Sequence, residues 1–75
     1  MQDKLKILKF NRNERFYHVY LQNNFFRGIT VVCSWGTFDS NRGGYKYIFC
    51  DNMQEVTLTL DDIKKTRLKR GYKLY

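Results

Sequence analysis

The sequence predicts an α+β domain: a small antiparallel β-sheet of four to five strands with one C-terminal α-helix packed on it. Three observations lead there. Residues 4–50 hold short runs rich in β-branched and aromatic side chains, separated by hairpin-length connections. Residues 53–70 place apolar side chains three and four positions apart, which is the helical period. The chain has 75 residues, enough for a single domain, 1–75, and too few for two.

Taken in order, Leu5 and Ile7 alternate with Lys4 and Lys6, and the phase then flips at Leu8 and Phe10. A flip of this kind predicts a twisted or bulged edge strand. Residues 16–21 (Phe-Tyr-His-Val-Tyr-Leu) are apolar or aromatic at nearly every position. Asn23, Asn24 and Gly28 supply turn chemistry around Phe25 and Phe26. Residues 29–35 are strongly β-branched, with Ile29, Val31, Cys33 and Trp35 on one face. Residues 37–44 read as a polar, glycine-containing loop, and residues 45–50 alternate again.

The last quarter carries two periods. Val56, Leu58 and Leu60 alternate as in a strand, whereas Met53, Val56, Leu60 and Ile63 recur as on a helix facing the sheet. Asn52 followed by Glu55 is a capping-box pattern, basic residues crowd the far end, and Gly71 stands where a C-terminal stop belongs. Start, stop, charge order and period agree on a helix near 53–70.

Fourteen Lys and Arg against seven Asp and Glu leave a formal charge of +7. With 43% hydrophobic and 17% aromatic residues, the chain is a globular domain, not a disordered basic tail. No apolar run approaches the roughly 18–20 residues of a membrane span. Two well-separated cysteines, Cys33 and Cys50, and the polar opening Met1-Gln2-Asp3-Lys4 predict free thiols and a cytoplasmic location. The charge sits at both ends: +3 over residues 1–15, neutral over 16–60 and +4 over 61–75. If the ends meet in the fold, they make one electropositive surface.

Catalysis lacks its parts. The one histidine, His18, lies in an aromatic strand, and there is no Cys-x-x-Cys, His-x-x-x-His or carboxylate cluster. Cys33 with His18 has no orienting acid, and Gly43-Gly44 is too short for a phosphate-cradling loop. The expectation is a non-enzyme with no metal, cofactor or small-molecule substrate. The basic residues point elsewhere. From Ile63 onward Lys64, Lys65, Arg67, Lys69, Arg70 and Lys73 have no acidic counter-charges, and Lys4, Lys6, Lys9, Arg12 and Arg15 add to them. Such a distribution suits phosphate. Trp35, at the end of its strand, is either a core residue or a plate on which a sugar or base stacks.

Ser34-Trp35-Gly36, preceded by an aromatic strand and followed by a helix closing on Gly71-Tyr72, resembles the WGR domain. The correspondence runs from about Asn11 to Tyr72: Asn13, Phe16 and Tyr17 match the family's opening, Trp35-Gly36 its Trp-Gly, and Arg67, Gly71 and Tyr72 its helix end. The family is the DNA-end-sensing module of DNA-dependent poly(ADP-ribose) polymerases and also occurs in bacterial proteins. The resemblance implies an antiparallel sheet with one helix, a tryptophan packed on a terminal nucleotide's sugar, and Asn and basic side chains on phosphate. Carried over, it makes Trp35 the stacking residue, with Asn13, Arg15 and Tyr72 on the backbone and Gly36, Thr37, Arg42 and Arg67 around them. The family's arginine is Thr37 here and a following glycine is Asp39, so a charged bidentate contact is missing. Arg42 is the candidate replacement. The functional expectation is a nucleic-acid-binding module, for DNA ahead of RNA. The alternative is a protein-interaction adaptor anchored by Phe25-Phe26.

Overall fold

Arg12 and Arg15 close a two-residue hairpin in which Asn13 takes φ = 56°, a left-handed conformation that asparagine tolerates. From this turn the chain builds outward. The computed structural model describes residues 4–23, 28–39 and 42–75, with side chains from residue 7 onward. Strands β1 (Lys4–Arg12), β2 (Arg15–Asn23), β3 (Ile29–Thr37) and β4 (Gly43–Cys50) precede helix α1 (Met53–Lys69) and a short β5 (Lys73–Leu74). All pairings are antiparallel, in the order β4-β3-β2-β1-β5. The molecule is a small α+β domain.

The phase flip in β1 is a bulge: the register with β2 shifts between Lys6 and Leu8. Its prediction as an edge strand needs correction, because β5 pairs with Phe10 and Asn11 on the outer side. This return also brings the two basic ends of the chain side by side. The strand of Trp35 runs on to Thr37 and the next starts at Gly43, which shortens the expected 37–44 loop.

Helix α1 starts as its sequence dictates. The Asn52 side-chain oxygen accepts from the Glu55 N–H at 3.0 Å, while the Glu55 carboxylate accepts from the Asp51 N–H at 3.0 Å, one residue earlier than a standard capping box. At the other end the Tyr72 N–H reaches the Arg67 carbonyl (3.0 Å) and the Gly71 N–H that of Leu68 (3.1 Å). This Schellman stop needs the φ of 91° that Gly71 supplies. Val56 is buried and Leu60 and Ile63 pack on the core, as the helical period requires, and Leu58 is exposed. Met53, expected to face the sheet, is instead 54% exposed, since contact with the sheet begins one turn later at Val56.

The core lies between α1 and one face of the sheet, around Phe10, Val19, Val31, Cys33, Cys50 and Val56. Cys33 and Cys50 are buried free thiols. Cys33 stands opposite Lys46 and Cys50 opposite Ile29, so they are offset by about 14 Å along the strands, too far for a disulfide. Among the described residues, no helix lies on the opposite face of the sheet. Among the described residues, no helix is long and apolar enough to cross a membrane.

Candidate nucleic-acid interface

Trp35 sits on β3 between two cross-strand neighbours, Tyr17 on β2 and Gly44 on β4. Its rings stack on Tyr17 with centroids 6.0 Å apart and planes within 11°. On the other side the indole comes so close that a Cβ at position 44 would lie 2.9 Å from Cζ2, which only glycine avoids. Trp35 nonetheless remains 36% exposed. It is therefore neither a core tryptophan nor a free plate: its orientation is fixed by packing, and part of the indole is open to solvent.

The stack continues into the helix. Arg67 follows Val56, Leu60 and Ile63 on the face of α1 that meets the sheet. Its guanidinium lies 4.3 Å from the Tyr17 centroid and 5.3 Å from that of Tyr72, which the Schellman stop turns back onto the sheet. Both distances are within cation–π range. Burial, followed by a hydrogen bond with the Cys33 side chain, pushes the Tyr17 hydroxyl well above the ordinary tyrosine range, with Arg67 pulling weakly the other way. Tyr17 is a neutral, fixed ring between Trp35 and Arg67.

Beside this stack, Arg15, Trp35, Gly36, Thr37, Arg42, Gly43 and Tyr72 line an open cleft of about 330 Å³. Arg15 and Thr37 also border a neighbouring concavity with Arg12, Asn13 and Glu14 at the hairpin tip. Trp35 and Tyr72 are shared with a third hollow that adds Tyr17, Lys46 and Arg67. The three join into one continuous surface. All eight residues singled out from the sequence, Asn13, Arg15, Trp35, Gly36, Thr37, Arg42, Arg67 and Tyr72, lie on it. Asn13 also has a structural task as the left-handed turn residue.

Sequence reasoning missed Lys46 and Gly44, counted Arg12 only as part of the basic N-terminal segment, and named Tyr17 without a role at the site. The pairing of Gly44 with Trp35, and of Arg12 with Arg15 across the hairpin, emerges only from the strand register. Chemically, the surface offers guanidinium groups that can fork onto phosphate oxygens and an aromatic edge on which a sugar or base can rest. Among the described residues, Glu14 at its rim is the only acidic side chain lining the three hollows. Among the described residues, no group of three His, Cys, Asp or Glu side chains is placed to hold a metal. Phe25 and Phe26, the anchor of the adaptor alternative, lie outside the described residues.

Comparison with protein-family models, with curated proteins and with solved structures finds no match to this chain.

Proposed function

We propose that this domain is a non-enzymatic, WGR-like module that binds nucleic acid, DNA at ends or breaks in particular, through phosphate contacts and stacking on Trp35. One observation carries the reading: a half-exposed tryptophan with a fixed orientation borders the same open cleft as Arg15, Arg42 and Tyr72. The guanidinium groups supply affinity by displacing counterions from phosphates, and the indole adds roughly 1–3 kcal/mol of stacking. In this reading the guanidinium groups bind phosphate oxygens, contacts that position the ligand without carrying sequence information. Besides Trp35 the cleft is lined by arginines, a tyrosine, a threonine and glycines, with no nucleophile–base pair among these described residues.

The test is fluorescence anisotropy with labelled blunt, nicked and single-stranded oligonucleotides across a salt series. Arg42→Ala is expected to weaken binding to all of them and to reduce the salt slope by about one phosphate. Binding that ignores salt, or an Arg42→Ala variant with an unchanged slope, contradicts the proposal and favours a protein partner.

A further inference from the structure

The face of the sheet turned away from α1 is aromatic. Register places Tyr20, Val32 and Tyr47 side by side across β2, β3 and β4, with His18, Ser34 and Tyr45 in the next row and Gln22, Thr30 and Phe49 in the one beyond. The small residues of β3 therefore run between bulky residues of β2 and β4. Val32 is only 1% exposed although no helix covers it, whereas its outer neighbours Tyr45, Tyr47 and Phe49 are 67%, 57% and 76% exposed. Further along, His18 Nε2 lies 3.2 Å from the Tyr75 hydroxyl, and Phe16 packs against His18 and Phe38 with centroids 4.9 and 5.4 Å apart.

Charge narrows the choice of occupant. Among the described residues no acidic side chain lies in a strand, and Lys9 and Lys73 stand at the far side of this face, on β1 and β5. A second copy of this face would bring lysine to lysine with no carboxylate between them. An anionic partner with flat, apolar rings suits it. Spacing narrows the choice further. Alternate residues of β4 stand about 6.8 Å apart, so Tyr45, Tyr47 and Phe49 form a row with about twice the roughly 3.4 Å rise of stacked bases in a duplex strand. Only an unstacked strand can lay one base on each ring.

We propose that the open sheet face, centred on Tyr45, Tyr47 and Phe49, is a second ligand surface that takes single-stranded nucleic acid by base stacking. Each exposed ring accepts one base, the way sheet-borne aromatics hold two or three bases in single-strand binders, and the lysines across the sheet add a general attraction for the anionic chain. This surface lies on the opposite side of the sheet from Trp35 and does not depend on the cleft binding anything.

The experiment is anisotropy with a labelled oligodeoxythymidine of about ten nucleotides, within the span a small single-strand site covers, and with a blunt duplex. Tyr47→Ala is expected to weaken the single strand roughly tenfold, and Tyr45→Ala with Tyr47→Ala more than that, with the salt slope unchanged. Tyr47→Phe keeps the ring and should bind as the parent chain does, and circular dichroism checks that each variant is folded. The same losses in a Trp35→Ala background establish the face even if the cleft binds nothing. Unchanged oligodeoxythymidine affinity in the folded double variant overturns the proposal. So does a dimer in sedimentation velocity, or binding to anionic lipid vesicles with none to the oligonucleotide, that these substitutions abolish.

Discussion

The Arg67 guanidinium lies 4.3 Å from the ring centroid of Tyr17, and Tyr17 in turn stacks on Trp35. A charge at the helix end is thereby tied to the exposed indole through one neutral ring. Tyr72 closes the other side of the guanidinium at 5.3 Å. The arginine is consequently a packing residue as much as a cation, and its hydrocarbon stem belongs to the helix–sheet contact.

Replacing it should therefore register in stability. Arg67→Ala is expected to lower unfolding free energy by about 1–2 kcal/mol, the sum of two partly desolvated cation–π contacts and lost stem packing. Arg67→Lys should fall between, because an ammonium cannot lie flat between two rings. Urea midpoints at constant m-value measure both. No loss in Arg67→Ala would mean the two ring contacts contribute nothing.

Tyr17 gives the chain a defined alkaline weakness. Its hydroxyl is held neutral in the fold, chiefly by burial, while in the unfolded chain it ionises near pH 10.0. The unfolded state then binds fewer protons than the native one, so stability falls as pH rises through that value. The contribution is flat below about pH 9 and approaches about 1.4 kcal/mol per unit above it. Tyr17→Phe should remove that part of the decline, read from urea midpoints at pH 8 to 11 as the difference between the two proteins, since the remaining tyrosines are common to both.

Gly44 is the seat of the indole. Gly44→Ala places a methyl 2.9 Å from Trp35 Cζ2, so the ring must shift. The expected cost is about 1–3 kcal/mol, as for other overpacked sites. The emission of Trp35, the chain's only tryptophan, should move to the red as the indole is displaced into solvent. An unchanged emission spectrum would contradict the packing described.

Much of this was legible in the sequence. The phase flip at Leu8 marked the bulge, and Asn52, Glu55 and Gly71 marked both ends of the helix, because these are local chemistry. What was hidden is non-local. A strand of two residues, Lys73 and Leu74, has no period to read, so β5 emerged only from its pairing with β1. Arg67 stands on the stripe of Val56, Leu60 and Ile63, yet hydropathy would assign a guanidinium to solvent; the two rings that accept it come from distant segments. Alternation in residues 45–50 gave the period of β4 without saying which side the helix covers. It covers Ile48 and Cys50 and leaves the aromatics outside.

Thr37 borders both the cleft and the hairpin concavity, at the position where the proposed WGR resemblance would put arginine. Thr37→Arg should tighten DNA binding and steepen its salt dependence by about one phosphate, since a charge-assisted contact contributes about 1.5–3 kcal/mol. Anisotropy over a salt series reads both. An unchanged affinity would mean that this end of β3 does not face the nucleic acid.

The central claim, that the Trp35 surface receives nucleic acid, is tested most directly by the chain's own fluorescence. Trp35 emission should be quenched as oligonucleotide is added at low salt, and the quench should reverse as salt is raised, because phosphate contacts hold the ligand against the indole. Trp35→Ala, followed by anisotropy, should weaken binding with the salt slope almost unchanged, since it removes stacking and no charge. Emission that does not respond to any oligonucleotide, together with no binding at low salt, would contradict the account.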